Sequence, residues 1–150
     1  MKRTVAVSVI AVALGVGGFA TVSSGQQTGV TRADLGRGNA GADYTVKGSK
    51  GTDVVVQKVT FEPGSTATWH THPGAETAII SSGAVTIFFS DDPKCAGREF
   101  KAGDVFLGTR AVHQAKNLGT EPAHLVVTYY DVPAGGAVAN PAPRPDNCTD

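Results

Sequence analysis

From Asp53 onward, apolar and polar positions alternate over short stretches that glycine and proline interrupt. Val54 to Phe61 is rich in β-branched residues and stops at the turn Glu62-Pro63-Gly64. Thr66 to His72 alternates, Pro73-Gly74 turns, and Glu76 to Ser81 runs on. Ser82-Gly83 reads as a hairpin tip before Ala84 to Ser90. Further strands are predicted near Arg98 to Lys101, Val105 to Leu107, Val112 to Asn117 and His124 to Val132. The segment Asn117-Leu118-Gly119-Thr120-Glu121-Pro122 is a turn-rich connection between the last two. Many short strands at this spacing predict an all-β sandwich or barrel over residues 53–132.

The flanks behave differently. Lys2 and Arg3 precede the uncharged apolar run Val5 to Ala20, and small residues follow through Ser24. That order predicts a secretory signal peptide over residues 1–24, because the run is short for a membrane span and carries Gly15, Gly17 and Gly18. Residues 25–52 are polar and glycine-rich, an irregular lead-in. Within them Gly36-Arg37-Gly38-Asn39-Ala40-Gly41 spells G-x-G-x-x-G, but no strand–helix unit surrounds it, so we read the match as accidental. Residues 133–150 form a proline-rich tail.

Composition sharpens the fold class. Nineteen valines and 16 threonines against five leucines favour strands over helices. The 13 basic and 13 acidic side chains cancel, and no Lys/Arg run exists, which argues against a nucleic-acid partner. Losing Lys2 and Arg3 with the leader would leave 11 basic and 13 acidic groups, a net of −2, and no membrane association. In an oxidising compartment Cys95 and Cys148 are expected to pair, closing a loop worth about 4 kcal/mol in the chain-entropy account. Intermolecular pairing is the minor alternative.

Candidate chemistry centres on histidine. His70 and His72 lie two apart on a predicted strand and so share a face. Glu76 follows the Pro73-Gly74 turn, and the alternation Val112 to Asn117 sends His113, Ala115 and Asn117 inward. Three imidazoles and a carboxylate would suit one divalent transition metal: iron, manganese, zinc, nickel, cobalt or copper. Ala78, Ile80 and Ala115 share this inward parity, predicting a small, partly apolar pocket. His124 reads as a rim residue, and Trp69 as packing rather than ligand stacking.

The spacing goes further. Gly64, five residues, His70, one, His72, three, Glu76, six, Gly83 resembles the first motif of the cupin superfamily without a gap. Gly103-Asp104, then His113 and Asn117, resembles the second. There Thr109 and Ala111 replace the family's usual proline and glycine, so the reversal before His113 must be built differently. The whole layout looks like the small exported bacterial cupins. The resemblance implies a single jelly-roll barrel with the metal held by His70, His72, Glu76 and His113. It does not choose a reaction, since cupins include many enzymes and non-catalytic binders. Two readings stand. One is a metal-dependent enzyme on a small molecule, with Glu76 either fourth ligand or general base, and His124, Tyr129 or Tyr130 as further acid–base candidates. The other is a binding module that holds a metal or small ligand without catalysis. A homodimer is compatible with either.

Overall fold

The computed structural model describes residues 31–148, so the expected leader, residues 1–24, lies outside the described residues. The chain divides into Met1–Arg32 and Ala33–Asp150, and the fold below is that of the second unit. Its strands are β1 (Asn39–Ala40), β2 (Thr52–Phe61), β3 (Thr66–Thr71), β4 (Glu76–Ser82) and β5 (Ala84–Phe89). They continue as β6 (Arg98–Lys101), β7 (Asp104–Gly108), β8 (His113–Lys116), β9 (Ala123–Pro133) and β10 (Asn140–Pro141). Among the described residues there is no helix.

Two five-stranded sheets result, in the orders β1-β7-β4-β9-β2 and β10-β3-β8-β5-β6. From β2 onward the chain crosses between the sheets at every step except β5 to β6, which pair within one sheet, in keeping with the jelly-roll plan. Gly64 and Gly83 turn the chain at two of these crossings with φ of 75° and 71°, values that side chains with a Cβ rarely adopt. The inner faces meet in one core, with Ile80, Phe106 and Leu125 from the first sheet against Val85, Ile87 and Ala115 from the second. One expectation needs correcting. Among the described residues no ladder joins the edge strands of one sheet to those of the other, so the predicted barrel is an open pair of sheets.

Both flanks are less irregular than their composition suggests. In the lead-in, Asn39–Ala40 pairs in parallel with Asp104 and Val105. A Cβ on Gly38 would lie 2.7 Å from Val105 Cγ2, so this glycine permits close approach of the two backbones. The G-x-G-x-x-G match therefore serves packing at a sheet edge. In the tail, Cys148 is disulfide-bonded to Cys95, as expected, and Asn140–Pro141 pairs with Thr71 and His70 of β3.

Asn117, which follows β8, is 1% exposed and closes the far end of the core. Its Nδ2 donates to the carbonyls of Phe61 and Glu121, and its Oδ1 accepts from the Gly119 amide. Asn117→Ala would strand one buried and two partly buried hydrogen-bond partners, so a loss of about 1–3 kcal/mol is expected. Urea unfolding should show the midpoint falling at unchanged slope. A loss below about 0.5 kcal/mol would mean these bonds are replaced by water.

Candidate metal centre

His70, His72, Glu76 and His113 come together at one end of the space between the sheets. His70 and His113 are directly paired across β3 and β8. Their arrival at the same face depends on a β-bulge. Ala67 pairs with Ala115 and His70 with His113, so β3 carries an extra residue between the two pairs. Ala67 packs against the core, and simple alternation from it would turn Trp69 and Thr71 inward. The bulge shifts the parity by one and aims His70 and His72 in instead. Trp69 is buried outside the main core cluster, consistent with a packing role.

Glu76 opens β4 because the connection from β3 runs hard against β9. A Cβ on Gly74 would sit 2.1 Å from the Tyr130 carbonyl oxygen, a distance only glycine allows. Glu76 then points at the histidines over Gly108, its cross-strand partner on β7. Here too a Cβ would intrude, 2.1 Å from Glu76 Cγ and 2.5 Å from Oε1. His113 is set by the altered reversal before it. The Thr109 hydroxyl accepts from the Ala111 amide, replacing the proline–glycine turn, and the Ala111 carbonyl accepts from His113 Nδ1 at 3.0 Å.

Each of the three histidines uses Nδ1 in this way. His70 Nδ1 donates to the Thr68 carbonyl and His72 Nδ1 to the Val138 carbonyl, the latter at 2.7 Å. A carbonyl can only accept, so each Nδ1 carries a hydrogen and each Nε2 can present a lone pair. The ligand atoms available from His70, His72 and His113 all lie within 4.8 Å of one another. The ring centroids are 4.5 to 5.1 Å apart.

The two carboxylate oxygens of Glu76 face this group, Oε2 at 3.2 Å from His72 Nε2 and Oε1 at 3.2 Å from His113 Nε2. His72 Nε2 is nevertheless buried without a hydrogen bond of acceptable geometry to any described residue. Lone pairs thus converge on lone pairs in a buried place. A cation among them, or additional protons on the imidazoles, resolves the conflict. The donor set of three imidazole nitrogens and one carboxylate fits a divalent transition metal.

The protonation preferences follow the same contacts. Burial pushes the Glu76 carboxyl up, but hydrogen bonds and charge from His113 and His72 outweigh it and hold it at about 2. Burial pulls His72 down, yet Glu76 and the Val138 carbonyl prevail and raise it. His70 is lowered, chiefly by burial. Tyr129 on β9 stacks 5.1 Å from His72, and burial, with the Glu76 charge, pushes its phenol up to about 12. The other candidates stay away. His124 bonds the Thr60 hydroxyl and pairs with Ser82, on the outer side of its sheet, and Tyr130 follows Tyr129 with opposite parity.

A cavity of about 460 Å³ reaches the site at His113, between Phe89 and Phe106, with Arg98 stacked over Phe89 and Phe100. A larger one, about 710 Å³, runs beside residues 41–47 and touches Glu76 and Gly108 but none of the histidines. Each thus touches one of the four residues, the smaller at His113 and the larger at Glu76.

Two facing, mainly antiparallel sheets with histidines and a glutamate between them define a jelly-roll protein with a buried candidate metal site. The family model described as the cupin domain matches residues 57–129, so this part of the chain is a cupin domain. Among solved structures, a protein with a double-stranded beta-helix domain from Klebsiella pneumoniae is 26% identical, over 73% of this chain and 90% of that one, with a TM-score of 0.49. A Cupin 2 conserved barrel domain protein from Salinispora arenicola is 23% identical, over 54% of this chain and 66% of that one, with a TM-score of 0.46. An oxalate oxidase is 26% identical, with a TM-score of 0.44. That match spans 50% of this chain but only 40% of the oxidase. A search of curated proteins finds no match.

Glycine 108, the Ala111 and Val138 carbonyls and the β3 bulge were not singled out from the sequence. Gly108 did carry a signal, as a lone glycine ending an apolar strand, where close approach of a neighbour is a common cause. The carbonyls carried none, since every residue has one.

Proposed function

We propose that the chain is an exported cupin that binds one divalent transition metal through His70, His72, His113 and Glu76, and acts on a small molecule as a metal-dependent enzyme. The observation that carries the reading is the convergence of three Nδ1-anchored imidazoles on an ionised, buried carboxylate. Export is supported by the leader-like residues 1–24 and by the Cys95–Cys148 disulfide, which persists in oxidising compartments. On this reading the mature domain is the barrel-like region 53–132 with its lead-in and tail. The metal would supply Lewis acidity, or a redox centre if it is iron.

The geometry favours Glu76 as a ligand over Glu76 as a general base. Both its oxygens already face imidazole nitrogens, and a carboxylate held near 2 is a weak proton acceptor. Tyr129, pushed up to about 12, is correspondingly a poor proton donor at neutral pH. This shortage of acid–base groups is what supports the second reading, a binding module without catalysis. Elemental analysis of tag-free protein tests the metal. About one equivalent is expected in the wild type and far less in His70→Ala, and equal content in both would overturn the assignment. Glu76→Gln should lower metal affinity about 10-fold or more; retained metal with lost turnover would instead make Glu76 the base.

A further inference from the structure

The proline-rich tail converges on the centre from three directions. The Val138 carbonyl accepts from His72 Nδ1 at 2.7 Å, which fixes that ring's tautomer. Two residues on, Asn140–Pro141 pairs with Thr71 and His70, and the Ala142 amide donates to the Trp69 carbonyl at 3.0 Å. The tail therefore lines β3, which carries His70 and leads directly into His72, beside its bulge. Val138 also packs against the core.

The segment is also tethered by the Gly135 amide, which donates to Asp53 Oδ2 at 2.8 Å. Its ladder is two residues long, and residues 133–137 are exposed. At its end Cys148 is buried and bonded to Cys95, and Asn147 Nδ2 donates to the Asp92 carbonyl. The loop that receives it is itself ordered, since the Asp92 carboxylate accepts from the Lys94 and Ala96 amides. That loop also reaches the cavity leading to His113 through Asp91 and Asp92. The cross-link spans 53 residues, so without it the tail end would explore a large volume before returning.

We propose that the tail is a positioning element of the metal centre, acting through the Val138 carbonyl on His72, and that the Cys95–Cys148 disulfide sets metal affinity by holding it there. This rests on the metal reading of the site. Reduction would consume two thiol equivalents: the S–S bond breaks, Cys95 and Cys148 become thiols, and the reductant becomes a disulfide. The released tail would leave His72 free to change tautomer or rotate, so Nε2 would be aimed at the other ligands for less of the time. Loss of such an orienting partner costs about 10–100-fold in metal affinity.

The test uses Zn²⁺ affinity by chelator competition on full-length mature protein, oxidised against Cys95→Ser/Cys148→Ser. A weakening of about 10-fold or more is expected in the double variant. A His72→Ala background supplies the control a merely structural role would not satisfy. If the tail acts through His72, removing the disulfide there should change affinity by less than about twofold. Equal affinity with and without the disulfide, or an undiminished loss in the His72→Ala background, overturns the proposal. Nitrogen-15 NMR of the metal-free protein gives an arm independent of metal. His72 should be a fixed Nδ1–H tautomer, or imidazolium with a slowly exchanging Nδ1–H, in the oxidised protein and should average once the disulfide is gone. If Zn²⁺ fails to bind the oxidised wild type, the metal reading falls, and an unchanged His72 signal on disulfide loss would then overturn the positioning role too.

Discussion

Gly108→Ala is expected to disable the metal centre without altering any ligand. The added methyl would stand 2.1 Å from Glu76 Cγ and 2.5 Å from its Oε1, distances no pair of non-bonded atoms tolerates. Glu76 is 5% exposed and hemmed between His72 and His113, so it cannot swing away into water. It must leave its place, and the two imidazoles lose their facing carboxylate. Metal affinity should fall about 10–100-fold, as for loss of the carboxylate itself. Overpacking should cost a further 1–3 kcal/mol, roughly, in the metal-free protein. The double variant Gly108→Ala/Glu76→Ala separates the two effects. Relief of the clash should restore much of the stability while metal affinity stays low, a non-additive result that thermal unfolding and chelator competition would both register. Wild-type affinity in Gly108→Ala would show that the carboxylate is dispensable to binding.

Lowering the pH should shrink the stability difference between metal-bound and metal-free protein. Imidazoles bind metal only when neutral, so protons compete for His70, His72 and His113. With histidine ordinarily near 6.5, affinity should fall below about pH 6, and by more than 10-fold per unit because more than one proton is taken up. Without metal the balance differs. Glu76 is held below its ordinary 4.5, so its contribution to stability is present above about 4.5 and is lost as pH falls through about 2. His72 is held above its ordinary 6.5, so its contribution is present below 6.5 and is lost as pH rises through its folded value. His70, held below its ordinary value chiefly by burial, works the other way and costs stability as it charges, so the two histidines oppose each other from pH 8 to pH 5 while the metal's stabilising increment shrinks over the same range. Melting curves with Zn²⁺ and with chelator, taken across that range, should converge as pH falls. Parallel curves would exclude competition between protons and metal at these histidines.

The residues that make the centre were legible because their spacing is dictated by local geometry. His70 and His72 share a face, and Glu76 follows one tight turn, so a window from Gly64 to Gly83 contains most of the constellation. Alternation made His113 legible as an inward residue, but that it reaches the other three was legible only through resemblance. Its partner strand lies more than 40 residues away in sequence, and strand pairing at that distance has no local signature. Alternation alone would even have misled, because the bulge in β3 reverses the parity that Ala67 begins. Composition likewise described the flanks as irregular. Both are held to the domain by backbone hydrogen bonds and, in the tail, by a covalent bond, and these are blind to side-chain polarity.

By itself, then, the sequence determined the all-β class, the strand-and-turn rhythm and the identity of the four candidate ligands. Those properties are set by β-branched content, by glycine at positive φ and by a period of two, all of which act between near neighbours. Only the tertiary structure decided that the sheets stay open, that Gly108 makes room for Glu76 and that Val138 holds His72. Each of those depends on atoms brought together from distant segments, where packing and backbone hydrogen bonds choose the partner and residue type alone does not.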